Sequence, residues 1–377
     1  MDKEKINRLK KLNLALFLET GDSFENWDKV GLLSRELKLY NRLSEYVNKI
    51  YLFTYGINDK KYQKLVNKNV FIVQKPLRIK NQVYEFLLPF IHCKVLKTCG
   101  VYKTNQNMAG VPASISKVLF SKNKFIARSG YLATHYNKDR KLPYSLKLRI
   151  RIIEGFSYIL CDKIFIPTKQ ICKFVQEKYP FVKDKLVMMN NFIDTNQFKR
   201  KIMKKKYDII YVARLNQIKN HLELLRAVKE LKLSICFIGQ GEEEKNILNF
   251  ANENNIDLKL IGRISNEDLP RCYNSSRVCV FPSLHEGNPK TLLEAMSCEL
   301  PIIGCNVTGV ENLIKNKQNG LLCEPNAESL RKTIRYLFKN KKLWNKLGKN
   351  AREMIINEFS LDSLVIRELE EYAKMIK

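Results

Sequence analysis

Short apolar runs rich in β-branched residues alternate with longer helical stretches along nearly the whole chain. This alternation constrains the fold more than any other feature of the sequence. The runs have the length of buried strands, and the stretches between them are long enough to cross back over a sheet. The pattern therefore predicts βα units around parallel sheets. In the first half strands are expected at 12–18, 50–54, 70–74, 124–128 and 163–166, and in the second at 208–212, 233–239, 258–262, 278–281 and 301–304. Segment 31–46 places Leu32, Leu33, Leu37, Leu39 and Leu43 at helical spacing, and 147–160 reads as a helix with Lys147, Arg151 and Glu154 on one face.

A chain of 377 residues is long enough for two domains, each with its own core. The pattern breaks at the basic, non-periodic run Phe198-Lys-Arg-Lys-Ile-Met-Lys-Lys-Lys206, which marks the expected boundary. No short period recurs, which excludes a solenoid. The expected fold class is α/β, with two doubly wound Rossmann-like domains, 1–198 and 199 onward, facing across a cleft. Ligands of such sheets bind beyond the carboxyl ends of the strands, so the active site is expected there.

Composition narrows the function classes. A hydrophobic content of 45% with 10% aromatic residues excludes a disordered chain. No apolar run approaches the ~20 residues of a membrane span. The opening run Leu14–Leu18 is too short for a secretory signal and meets Glu19-Thr-Gly-Asp22, so a cytoplasmic protein without a signal peptide is expected. Ten scattered cysteines without a Cys-x-x-Cys pair read as reduced, buried thiols, and four histidines without a close pair predict no zinc site. The 67 Lys+Arg against 38 Asp+Glu leave a net charge of +29, which suits a nucleotide, an anionic membrane surface or nucleic acid. The surplus is mostly lysine spread through the chain.

The segment Phe281-Pro-Ser-Leu-His-Glu-Gly-Asn-Pro-Lys-Thr-Leu-Leu-Glu-Ala-Met-Ser297 carries the most chemistry. An apolar strand turns through Gly287 into a helix with Pro289 near its first position. The N–H groups of Lys290, Thr291 and their neighbours, Asn288 preceding them, then form an anion site suited to a diphosphate. Glu286 and Glu294 are placed to accept hydrogen bonds from sugar hydroxyls; the plainer alternative is an N-capping acid and an exposed helical glutamate. In Tyr211-Val-Ala-Arg-Leu-Asn-Gln-Ile-Lys-Asn220 a strand runs into a loop with Arg214 and Lys219, two cations able to clamp a diphosphate, or an ordinary solvated loop. Gly239-Gln-Gly241 lacks a third glycine and is followed by Glu242-Glu-Glu244, so a turn is expected rather than a dinucleotide site. Walker A, Ser-His-Asp and His-Glu-x-x-His patterns are absent, as is an Asp-x-Asp pair to hold a metal on a nucleotide.

Together these segments resemble the retaining family 4 glycosyltransferases, which have the GT-B fold. Arg214-x4-Lys219, Gly239-x-Gly241, Phe281-Pro-Ser283 and Glu286-x7-Glu294 stand in that family's order and spacing. Gly304–Glu311 and Asn319-Gly-Leu-Leu322 are similar to its late turn and strand. The likeness is dense from about 207 to 359. In the first half, Gly21 lies in a loop like the family's glycine loop, and Met189–Phe198 resembles the stretch before the interdomain crossing, with Phe192 in place of a glycine. A histidine that many members carry in the first domain is missing. Its place reads Phe125-Ile-Ala-Arg-Ser-Gly-Tyr131, leaving Arg128, Ser129 and Asn105 of Thr104-Asn-Gln106 as acceptor-side candidates, and His135 as a loop histidine.

The resemblance implies transfer of a sugar from a nucleoside-diphosphate-sugar with retained configuration, to a glycan or lipid-linked acceptor in surface polysaccharide or lipopolysaccharide synthesis. Arg214 and Lys219 would neutralise the leaving diphosphate, Glu286 hold the sugar hydroxyls and Glu294 the ribose. Gly21, Gly287, Asn288, Lys290 and Thr291 would complete the donor site. The donor is a co-substrate, and neither cofactor nor metal is expected. The donor domain is expected over 199–359, with a helix at 360–377 packing back toward the first domain. Basic segments (Arg8, Lys10, Lys11; Lys147, Arg149, Arg151) read either as docking on anionic lipid, which would place the protein peripherally on the cytoplasmic side of the inner membrane, or as solvated helix faces of a lysine-rich chain. A nucleotide-sugar 2-epimerase would need an acid/base cluster the sequence does not supply. A nucleic-acid-binding protein would need an aromatic and basic patch or a recognition motif, and neither is present.

Overall fold

The computed structural model describes residues 2–77, 79–129 and 143–376. The chain divides into two compact units, Met1–Asn190 with Leu364–Lys377, and Asn191–Ser363. The first holds β1 (Asn13–Phe17), β2 (Lys49–Phe53), β3 (Val70–Val73), β4 (Val101–Thr104), β5 (Lys124–Arg128), β6 (Lys163–Ile166) and β7 (Leu186–Met188). They form one parallel sheet in the order β3-β2-β1-β4-β5-β6-β7. The second unit holds β8 (Tyr207–Val212), β9 (Ile235–Ile238), β10 (Leu258–Ile261), β11 (Ser276–Phe281), β12 (Ile302–Cys305) and β13 (Leu321–Cys323). Its parallel sheet runs β10-β9-β8-β11-β12-β13. Central strands are apolar and buried on both faces: every residue of β9 is buried, and Ile209 of β8 is in register with both Ile235 and Val278.

Both sheets share one topological event. The chain builds outward from β1 to β3, then returns to the other side of β1 and continues with β4. It does the same from β8 to β10, then β11. At these reversals the loops leaving neighbouring strands diverge and open a crevice at the carboxyl edge.

All strands expected from apolar runs are present, with no end moved by more than two residues. β4 and β7 were not expected. β7 is only three residues long, and β4 carries Lys103 in the middle of its only apolar stretch. That lysine is buried, its ammonium paired with Glu368 of the helix Leu361–Met375. Tyr372 donates to the same carboxylate oxygen. Burial pulls the Lys103 pKa below its usual value, and the Glu368 charge opposes that shift. Leu364, Val365, Leu369 and Tyr372 of the same helix are buried with it.

The crossings between units lie at Asn190–Asn191 and Ser363–Leu364, not at the edge of the basic run. Ile193 and Phe198 are buried in the second core, and Ile193 exchanges backbone hydrogen bonds with Phe359 and Leu361. The charged run is surface chain that follows the crossing. Glu154 also departs from expectation: it is buried and holds Asn107, Lys178 and Tyr179, while Lys147 and Arg151 are exposed. All ten cysteines are free, seven of them buried. Among the described residues no helix is long and apolar enough to cross a membrane.

Removing one member of a buried ion pair strands the other charge. Lys103→Met is therefore expected to lower unfolding free energy by ~3–5 kcal/mol in urea titration, and Lys103→Met with Glu368→Met to recover most of the loss. A double variant no better than the single one would refute this account.

Candidate functional site

The second unit's reversal brings two loops together, one after β8 and one after β11. The first carries Arg214, a short turn Gln217–Lys219, and Asn220 in the left-handed region at φ 57° before the helix His221–Val228. The second runs from Pro282 to the helix Lys290–Ser297. They are joined by Leu284 N–H to Ile218 O at 2.9 Å and by Asn220 Nδ2 to Pro282 O at 3.2 Å.

Side chains join them too. Lys219 Nζ lies 2.5 Å from Glu286 Oε1, and Ser283 Oγ donates to the same oxygen at 2.7 Å. The Ser283 hydroxyl has a single hydrogen, so Tyr211 OH, 2.7 Å away, donates to Ser283. The result is a relay from Tyr211 through Ser283 to a buried carboxylate that a lysine balances. Among the described residues no donor reaches Glu286 Oε2, and Glu286 is 8% exposed. From below, Glu286 N–H bonds Thr308 O at 3.0 Å. Gly309 packs so closely that a Cβ there would stand 2.3 Å from Glu286 O, at φ +86°. The loop after β12 thus sets the height of Glu286, and only glycine fits beneath it.

Arg214 is exposed and in no ion pair among the described residues, whereas Lys219, expected as a second loose cation, is tied to Glu286. The Gly239 turn, read from sequence as a turn only, supports the Arg214 loop: Leu215 N–H bonds Gln240 O at 3.0 Å, and a Cβ on Gly239 would meet Ala213 O at 1.9 Å.

Neither glutamate takes the plainer alternative weighed from the sequence. No side chain caps the helix Lys290–Ser297, and Glu294 is buried rather than exposed. Tyr273 OH shares its hydrogen between Thr291 O at 3.0 Å and Glu294 Oε2 at 3.3 Å. Lys290 Nζ sits 5.4 Å above the Phe192 ring, so the residue standing in place of a glycine provides a cation–π seat. Asn288 O accepts from Asn191 Nδ2 at 3.2 Å, while its buried Oδ1 has no partner among the described residues. Gly287 is half-buried between Glu286 and Asn288.

The remaining candidates lie in the first unit. Gly21 (φ +93°) follows β1, Asn105 follows β4 and Arg128 ends β5, so Gly21 and Asn105 flank that unit's own reversal. Asn105 Oδ1 accepts from Tyr40 OH at 3.0 Å, and Arg128 N–H bonds Thr104 Oγ1 at 2.9 Å. Ser129 Oγ lies 2.6 Å from Tyr158 OH. His135 lies outside the described residues. Sequence reasoning missed Glu19 in the Gly21 loop: burial, helped by Asp22, pushes its carboxyl up to about 7. It also missed Tyr211, Tyr273 and His221. Ser283 stood in a quoted motif without a role.

The family described as "Glycosyl transferases group 1" matches residues 192–354, nearly the whole second unit. The second unit belongs to that family. An uncharacterized glycosyltransferase of Haemophilus influenzae is 30% identical over 213 residues, 54% of this chain and 59% of the relative. An Escherichia coli UDP-Gal:alpha-D-GlcNAc-diphosphoundecaprenol alpha-1,3-galactosyltransferase is 28% identical over 235 residues, 55% of this chain and 61% of the relative. The chain thus spans about three fifths of the length of these curated relatives. The crystal structure of Anabaena HepE with UDP superposes at a TM-score of 0.74 with 13% identity, covering 96% of this chain and all of the other. The architecture is the GT-B fold, and the Lys219–Glu286 pair lies within its glycosyltransferase unit.

His221 props this unit's site from inside. Its ring packs 4.7 Å from Tyr211 and 4.9 Å from Phe237, and neither nitrogen has a partner among the described residues. Burial, with the Lys219 charge adding to it, pulls its pKa down to about 3. An unfolded histidine titrates near ~6.5, so below that pH the unfolded chain binds a proton the folded one refuses. The stability is fully present above that pH and is lost on the way down to about 3. His221→Phe is expected to remove ~1–2 kcal/mol of the fall in unfolding free energy between neutral pH and pH ~5. Identical pH slopes in the two proteins would refute it.

Proposed function

We propose that this chain transfers a sugar from a nucleoside-diphosphate-sugar to a hydroxyl of a glycan or lipid-linked acceptor, with retention of configuration, in the building of surface polysaccharide or lipopolysaccharide. The carrying observation is Glu286 at the strand reversal. One carboxylate oxygen is fixed by Lys219 and Ser283, and the other is left for a ligand hydroxyl. Arg214, exposed on the same loop as Lys219, and the helix start at Lys290 add positive potential for a diphosphate. Lys219 donates one N–H to Glu286 and keeps two for phosphate oxygens.

In the transfer, the anomeric C–O bond to the diphosphate breaks and the acceptor oxygen bonds the same carbon from the same face. The acceptor proton passes to the departing phosphate oxygen. Arg214 and Lys219 stabilise the charge that develops there; losing one such contact costs about a hundredfold or more in rate. Glu286 orients the sugar, Glu294 takes the ribose, and Gly287, Asn288, Lys290 and Thr291 shape the pocket. Gly21 is assigned to donor binding, and Asn105 and Arg128 to the acceptor side. The relative named for UDP-Gal and the HepE complex with UDP favour uracil as the base.

A diphosphate present at ~100 times its Kd adds ~2.7 kcal/mol to stability. Thermal unfolding is expected to show this shift for UDP above GDP, ADP or TDP. Glu294→Ala and Arg214→Ala should abolish it with the unliganded Tm little changed. No shift with any diphosphate would overturn the donor site. Because side-chain cations carry the neutralisation, turnover is also expected to be unchanged by EDTA; a loss restored by a divalent cation would refute that assignment.

A further inference from the structure

The first unit carries a surface that the donor chemistry does not use. Its helix Asn81–Ile91 is apolar all round: Tyr84 and Leu88 face the core, while Phe86 (53% exposed), Leu87 (41%) and Phe90 (56%) face solvent. The helix Tyr144–Leu160 also has apolar residues on both faces, with Ile153 inward and Leu148 (44%), Ile152 (61%) and Phe156 (49%) outward at spacings of four. Between them, over the helix Gly110–Leu119, runs an open groove of about 450 Å³ walled by Phe86, Val111, Ile115, Leu148, Ile152 and Phe156. Helices with apolar residues on both faces need a second apolar environment, and a contiguous exposed patch of this kind marks an interaction surface.

Charge decides what covers it. Along 79–98 and 143–160 the acids are Glu85 and Glu154, both buried. The exposed charges are Lys80, Lys94, Lys97, Lys147, Arg149 and Arg151, all cations. A second copy of this chain would set two such rims against each other. A surface of anionic headgroups over hydrocarbon satisfies both the cations and the apolar stripes.

We propose that the paired helices Asn81–Ile91 and Tyr144–Leu160 insert their outward stripes into the interface of an anionic bilayer, with the groove between them taking hydrocarbon. This deepens the membrane side of the function proposed above, resting on its lipid-linked acceptor. It differs from docking by basic segments alone, because screening by salt weakens charge attraction and leaves apolar burial. The helices also bear on the reversal of their own unit: Arg149 Nη2 bonds Glu85 Oε1 at 2.6 Å, and Thr20 of the Gly21 loop donates to Glu85 Oε2. The inserted helices thus hold the Gly21 loop in place.

The test is co-sedimentation of the full chain with phosphatidylcholine vesicles, with and without phosphatidylglycerol, at low salt and ~0.5 M salt. Vesicles containing phosphatidylglycerol should bind the wild type, with much of the binding kept at high salt. The triple variant Phe86→Ser, Phe90→Ser, Phe156→Ser is expected to lose about a hundredfold in affinity at both salts. Lys147→Glu with Arg151→Glu should lose about tenfold at low salt only. An unchanged Tm and an unchanged UDP shift report that each variant is folded, and they read the donor site separately from the membrane face. Wild-type binding abolished by salt, a triple variant that binds like wild type, or a dimer in light scattering that the triple variant dissolves without vesicle binding would each overturn the proposal.

Discussion

A parallel strand pair cannot be closed by a tight turn. Each strand here has to be followed by a crossover that returns the chain to the opposite edge of the sheet, so every strand's carboxyl end opens into a loop on one side. The order of building then decides where those loops part. In the second unit the order reverses between β8 and β11, and Arg214, Lys219, Ser283 and Glu286 all stand on the two loops that leave those strands. In the first it reverses between β1 and β4, which places Gly21 and Asn105. The candidate site is a consequence of sheet topology before it is a consequence of any side chain.

Two buried lysine–glutamate pairs show how the same chemistry serves different ends. Lys103 and Glu368 are almost wholly removed from water and join a central strand to the closing helix of their unit. Such a pair is weak evidence of stability but specifies which helix packs there. Lys219 and Glu286 keep partial exposure, at 20% and 9% of their side chains, and leave one carboxylate oxygen without a protein donor. The first pair is complete without a ligand. The second has spare hydrogen-bonding capacity on both partners.

Much of the fold was legible in the sequence because parallel strands buried on both faces are written as unbroken apolar runs. Tyr207–Val212 and Ile235–Ile238 announce themselves in this way. β4 escaped notice because Lys103 interrupts it, and a buried lysine is explained only by a glutamate 265 positions away. The unit boundary was misread for the reverse reason: the basic run after Phe198 looks like a linker, yet Ile193 and Phe198 already belong to the second core. Arg214, Lys219, Glu286 and Glu294 were singled out because charged residues beside strand ends and glycines stand out. The hydroxyls that tune them, Tyr211 and Tyr273, lie in a strand and a helix that read as ordinary core.

The sequence by itself determined the alternation of strand and helix, the two-unit plan and the charged residues of the second unit's loops, since these rest on local periodicity and composition. Only the tertiary structure decided that Lys219 closes on Glu286, that Tyr273 reaches Glu294, that Gly309 sets the height of the loop above it, and that two apolar helices stand side by side with cations around them. Each of these depends on residues far apart along the chain becoming neighbours. Hydrogen bonding, burial and close approach are properties of distance in space, which the order of residues records only after the sheet has folded.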